Sequence, residues 1–173
     1  IWTGFSLKWY AKFFSNDDIL QATFNSLIVA SASAPIATAI ATISAIVIVR
    51  GGNFKGKDFN SGLITLPLMV PEIVTAVATL IFFATLGINL GLINVIIAHT
   101  VFCIPFAYMP IKAALESMDP NLEIASRDLY SDRVAAFRYI TLPLLMPGIL
   151  SGFMLAFVTV SYTHLTLPTT YHV

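Results

Sequence analysis

The chain has 173 residues, of which 57% are hydrophobic and 10% charged, with nine Lys or Arg balancing nine Asp or Glu. Soluble domains carry about 25% charged residues, so a mean hydropathy of +0.85 excludes a water-soluble domain and predicts an all-α membrane protein. The zero net charge argues against a nucleic-acid partner, and the single cysteine, Cys103, excludes an internal disulfide.

Ile1 is neither an initiator Met nor the start of a signal peptide, so the chain is expected to be a fragment. Residues 1–24 open with Trp2, Phe5, Trp9, Tyr10, Phe13 and Phe14. Amphipathic rings favour the headgroup level, which predicts an extracytoplasmic, interfacial segment. Trp9 and Tyr10 are also candidates to face a substrate. Asn16-Asp17-Asp18 is a turn or helix cap leading into the first span.

Asn25–Val49 is long enough to cross a bilayer with some tilt. Ala30, Ser31, Ala32, Ser33, Ala34, Ala37, Thr38, Ala41 and Thr42 fill its middle. Small residues let helices approach closely, so this helix is expected to pack against protein on more than one face. Pro35 predicts a kink. Arg50–Ser61 follows as a loop whose Gly51, Gly52 and Gly56 break the helix.

Gly62–Leu86 is the second predicted span, with Pro67, Pro71 and Glu72 inside it. Glu72 stands near the midplane if that stretch is helical. A carboxylate there is costly and faces a cavity or a partner, which makes it a substrate-pathway candidate. It also suits the first turn of a half-helix begun by Pro71. After the turn at residues 87–91, Leu92–Leu115 is the third span, carrying His99, Cys103, Pro105 and Pro110. Paired prolines in both spans predict irregular backbone. His99 reads as a hydrogen-bonding helix residue, and no second His or Cys stands at metal-ligand spacing. No nucleophile–base constellation points to an enzyme.

Asp119–Pro143 is a polar island holding Arg127, Arg133, Arg138, Asp119, Glu123, Asp128 and Asp132. Asp119 can cap a helix with Pro120 at its first position, and Leu122, Ala125 and Leu129 form one apolar stripe on it. Ser131 or Asp132 can cap a second short helix, with Val134 and Phe137 on one face, that ends before Pro143. Two amphipathic helices between spans present a surface for another protein, or form an ordinary solvated loop. Leu144–Val160 begins a fourth span, interrupted at Pro147-Gly148. Residues 161–173, SYTHLTLPTTYHV, turn polar and β-prone and end the helix.

Orientation follows from the basic residues. Arg50, Lys55, Lys57, Lys112, Arg127, Arg133 and Arg138 collect on one side, against Lys8 and Lys12 on the other. The basic side is the cytoplasmic one.

The polar island resembles the coupling loop of type I ABC-transporter permeases, whose motif is Glu-Ala-Ala, three residues, Gly, nine residues, then Ile-x-Leu-Pro. Ile124-Ala125-Ser126 stands at Glu-Ala-Ala, Tyr130 at the glycine, and Ile140-Thr141-Leu142-Pro143 in register after it. Ile124 and Tyr130 depart from the motif, with Glu123 adjacent to the Glu position. Residues 3–10, Pro71-Glu72-Ile73-Val74, and Asp128-Leu129 through Leu142-Pro143-Leu144 are similar to the spermidine/putrescine branch of that family.

The resemblance implies a fragment of the permease core, with about four transmembrane helices and a cytoplasmic coupling-helix loop, in the bacterial inner membrane. It implies coupling to an ATPase subunit through Leu122, Glu123, Ile124, Ala125, Ser126, Leu129, Tyr130, Ile140, Leu142 and Pro143. Its further partners are a second permease and an extracytoplasmic binding protein. ATP and Mg belong to the ATPase, and this chain binds no cofactor. Glu72 inherits the family's polyamine-path position. The family's Ser-x-Asp-Asp stands where this chain has Ser161-Tyr162-Thr163-His164, so residues 161–173 are expected to be a non-native tail. A permease for ferric iron or phosphate is the rival within the family. A secondary transporter or membrane scaffold is the rival outside it.

Overall fold

A computed structural model describes residues 15–89, 91–128 and 132–165, and among these the secondary structure is helical throughout, without strands. The helices are α1 (Asp17–Arg50), α2 (Lys57–Thr65), α3 (Glu72–Thr85), α4 (Leu92–Ser117), α5 (Asn121–Asp128), α6 (Arg133–Ala136) and α7 (Leu142–Leu165). A 3₁₀ turn, Leu66–Met69, follows α2, and a π turn, Phe137–Thr141, joins α6 to α7. Three helical runs are long and apolar enough to cross a membrane, and a bent pair makes a fourth if it counts as one span.

Asn16 caps α1 as expected, its Oδ1 accepting from the N–H groups of Asp18 at 3.1 Å and Ile19 at 3.3 Å. The buried residues of α1, among them Ser26, Ala30, Ser33, Ala37, Ala41, Ala45 and Ile48, recur every three or four positions. They form one stripe of mostly small side chains, against which both α4 and α7 pack. The hydroxyls on this stripe are silenced within their own helix: Ser33 donates to the Val29 carbonyl and Thr38 to that of Ala34, each at 2.7 Å. Leu27, Ile36, Ile43 and Val47 point outward.

The third side of the core is glycine-mediated. A Cβ built on Gly148 of α7 lies 2.6 Å from the Ala114 Cβ, and one on Gly152 lies 2.7 Å from the Ala107 carbonyl oxygen. Gly148 and Gly152, four apart, are therefore the close-approach pair of a small-xxx-small face. One turn on, the Cys103 Sγ–H donates to the Ala156 carbonyl at 3.7 Å. Tyr108, Ile111, Leu115 and Leu145 complete the core.

Several sequence expectations need correction. The Arg50–Ser61 loop is shorter than predicted, because Gly52 (φ 75°) and Gly56 (φ 88°) make the reversal and α2 starts at Lys57. The Gly62–Leu86 segment does have the irregular backbone expected of its paired prolines: Lys57–Met69 and Glu72–Thr85 meet at 103°. Pro71, with extended backbone (φ −55°, ψ 134°), ends the first piece and caps the second. By contrast α4 runs unbroken through Pro105 and Pro110, so paired prolines do not there impose irregular backbone. Packed transmembrane helices tolerate the lost hydrogen bond. Pro147 likewise sits inside α7 without interrupting it.

The second loop helix does not end before Pro143. Arg133–Tyr162 is one helical run through the π turn. Nor does the helix stop at Val160. It continues to Leu165, with the Ser161 hydroxyl donating to the Phe157 carbonyl at 2.9 Å. Extending an existing helix costs little compared with nucleating one, so β-prone residues follow it.

The positive-inside asymmetry makes a direct prediction. In a Cys103→Ser background, which keeps a donor toward Ala156, single cysteines at the exposed Asn53 and Asp132 should label from the cytoplasm. One at the exposed Asn89 should label from outside. External labelling at Asp132 would reverse the topology.

Candidate functional site

The ends of the spans converge beneath α5. Asp119 starts the segment, its Oδ1 accepting from the Asn121 N–H at 2.9 Å, and Pro120 and Asp119 carbonyls receive the first helical N–H groups. Two faces of α5 then differ. Ser126 is buried and Glu123 half-buried. Leu122, Ile124 and Ala125 are exposed, with Ile124 at 54%. Leu129, the last residue of the expected stripe, and Tyr130, at the motif's glycine position, lie outside the described residues, as do Trp9 and Tyr10.

Glu123 turns toward the ends of the spans. Its Oε1 accepts from Arg50 Nε at 3.1 Å and from the Thr141 hydroxyl at 3.1 Å. Arg50 ends α1, where the helix dipole favours a cation. Its Nη2 donates onward to the Met118 carbonyl at 3.3 Å, at the end of α4. Thr141 is buried and closes the π turn, in which the Leu142 N–H reaches back to the Phe137 carbonyl. Asp132 caps α6 by accepting from the Ala135 N–H. Farther along the same run Ile140 and Leu142 are half-buried and Pro143 is exposed.

Sequence reasoning missed this cluster. The available signal was a lone arginine at the last turn of an apolar span and a lone glutamate inside an amphipathic stripe. It also missed the Gly148–Gly152 spacing, which was legible as small-xxx-small.

Glu72 is the first residue of α3, exposed, with its carboxylate at the helix N-terminus, where the dipole favours negative charge. The half-helix geometry expected of Pro71-Glu72 is therefore present. Neither α2 nor α3 buries a residue. The Ser61 and Tyr108 hydroxyls share a hydrogen bond of 3.2 Å that pins α2 to α4, and Ile73, Val74, Val77, Leu80 and Ile81 stay exposed along α3. His99, half-buried in α4, has a polar or ring partner. Among the described residues no cluster of His, Cys, Asp or Glu is arranged to hold a metal.

Residues 37–167 match the family described as binding-protein-dependent transport system inner membrane component. The chain is 37% identical over 156 residues to the spermidine/putrescine transport system permease protein PotC of Haemophilus influenzae, covering 90% of this chain and 60% of that protein. Against PotC of Escherichia coli K12 the identity is 38% over 156 residues, covering 90% and 59%. Against the putrescine transport system permease protein PotI of the same strain it is 34% over 163 residues, covering 91% and 58%. The chain thus spans about 60% of the length of these curated relatives.

Proposed function

Since the chain belongs to the inner membrane components of binding-protein-dependent transport systems, we propose that it is a membrane-spanning permease subunit of an ATP-driven polyamine importer. It docks a separate ATPase through the outward face of α5. The observation that carries this reading is the division of α5. One side is tied by Glu123 to the span ends, and the other leaves Leu122, Ile124 and Ala125 exposed among the described residues. An eight-residue helix gains its stability from packing rather than propensity, so an outward apolar face calls for a partner.

ATP and Mg bind the ATPase, and this chain contributes no catalytic group and binds no cofactor. A second permease completes the translocation path, and an extracytoplasmic binding protein delivers the substrate. Transport follows from alternating access, in which loaded binding protein and nucleotide favour different states. The relatives' names, which specify spermidine and putrescine, support a polyamine cargo. So does Glu72, since a polycation needs a carboxylate to replace its hydration as it leaves water.

The test is reconstitution of the complete transporter in proteoliposomes with ATP inside. Saturable uptake of radiolabelled spermidine, and none of ferric iron or phosphate, is the expected result. Uptake of iron or phosphate alone would keep the permease and reject the cargo. Uptake that needs no ATPase would reject the docking. In the same preparation Glu72→Gln, which removes the charge and keeps the shape, should lower spermidine uptake about tenfold, the worth of one lost charge-assisted contact. Its yield in the membrane should stay at the parent level, because Glu72 is exposed among the described residues. Equal loss of uptake and yield would reject the pathway role.

A further inference from the structure

We infer that Arg50, Glu123 and Thr141 are positioning residues that lock the docking helix to the span ends, so that a displacement of α5 is transmitted to α1 and α7. This rests on the docking reading of α5. The geometry is specific. One carboxylate oxygen of Glu123 receives donors from residues 73 and 18 positions away. Through Arg50 Nη2 the same group reaches the Met118 carbonyl. Four elements are joined by three side chains: the end of α1, the end of α4, α5 itself, and the π turn that starts α7.

Burial separates this cluster from ordinary surface pairing. The Arg50 and Glu123 side chains are 17% and 22% exposed, and Thr141 is 4% exposed. Charge-assisted hydrogen bonds in such surroundings are strong and directional. Lys112–Glu116, at 3.7 Å with Glu116 56% exposed, is an i,i+4 pair of one helix and links nothing.

The π turn supplies the third contact. π turns are inserted at functional positions in otherwise α-helical runs, and this one ends on the residue whose hydroxyl meets Glu123. A partner pressing on Leu122, Ile124 and Ala125 therefore pushes against a helix whose opposite side is fixed to the spans. Without the shared carboxylate, α5 can shift under load while the ATPase stays bound.

The test is made in the complete transporter in proteoliposomes, reading ATPase retention by pull-down and spermidine transported per ATP hydrolysed. Glu123→Gln and Thr141→Val should each keep the ATPase within about twofold while the transport ratio falls about fivefold or more, the scale of a coupling free energy. Thr141→Ser, which restores the hydroxyl, should restore the ratio. The loss in the Arg50→Gln/Glu123→Gln double variant should fall short of the sum of the two singles, because each single already breaks the Arg50–Glu123 contact.

Three results would overturn the inference: loss of the ATPase in Glu123→Gln, which would put Glu123 in the docking face itself; an unchanged ratio in Glu123→Gln and Thr141→Val; or Thr141→Ser as impaired as Thr141→Val. If Glu123→Gln does not assemble, the Thr141 pair decides by the same criteria. Failure of the docking reading is seen separately in Ala125→Glu. If that variant keeps the ATPase bound, the premise is gone, on a residue the cluster does not use.

Discussion

Gly152→Val should strongly destabilise the described part of the chain. Its Cβ would stand 2.7 Å from the Ala107 carbonyl oxygen and 3.2 Å from two side-chain carbons of Ile111. The first obstacle is backbone, which cannot rotate aside, and Ala107 and Ile111 are fully buried. α7 must therefore move away from α4, and the Cys103–Ala156 contact one turn on opens with it. Overpacking of a filled core costs about 1–3 kcal/mol, and separation of two helices along a shared face carries this to the top of that range or beyond. In detergent the melting temperature should fall by roughly 5–10 °C, with a drop in monodisperse yield. Gly152→Ala should show a smaller fall of the same sign. Gly62→Ala, where a Cβ meets nothing within 4 Å, should leave the melting temperature near the parent value. A Gly152→Val protein with parent-like melting would mean that α4 and α7 are not held at this distance.

Ala125→Glu should detach the ATPase while leaving the chain folded. Ala125 is exposed on α5 between Ile124 and the inward-facing Ser126, so the isolated chain gives a carboxylate there free access to water. Its cost to the fold is the small difference in helix propensity, a few tenths of a kcal/mol. Beneath a docked partner the same carboxylate is buried unpaired, which costs about 3 kcal/mol or more, or roughly a hundredfold in affinity. Pull-down of the ATPase should fail and substrate-stimulated ATP hydrolysis should return to the unstimulated rate, with membrane yield unchanged. Undiminished association would mean that the face carrying Leu122, Ile124 and Ala125 is not where the ATPase sits.

Where the sequence was informative, it was so because each signal is local. Asn16 and Asp132 are caps recognisable from one residue and its successors, and both caps are made. The small residues of α1 predicted close packing on more than one side, and α4 and α7 take up that stripe. Leu92–Leu115 differs from the observed helix by two residues at one end.

The prolines were less legible, because the same residue has opposite outcomes. Pro71 ends a helix where residues 66–70 are already in a tight turn and an extended residue, whereas Pro105 and Pro110 are carried through by a helix packed on its neighbours. The deciding term is tertiary support, which no window around the proline contains. Glu123 is the same lesson for the candidate site. Its place on an amphipathic helix was visible, but its direction depended on Arg50 and Thr141, distant in sequence and united only by packing.

The π turn has an evolutionary corollary. A π turn is a one-residue insertion into α-helical phase, and one residue corresponds to about 100° of rotation. Residues 137–141 therefore set the phase between Asp132, which caps the helical run, and Gly148 and Gly152, which face α4. A single-codon deletion there would restore regular α-helix and leave every residue type at the interface unchanged. It would also swing the upstream loop by about 100° around the span, carrying the proposed docking face with it. Substitutions in this stretch that spare the Thr141 hydroxyl then act locally, while a change in its length moves both of its ends at once.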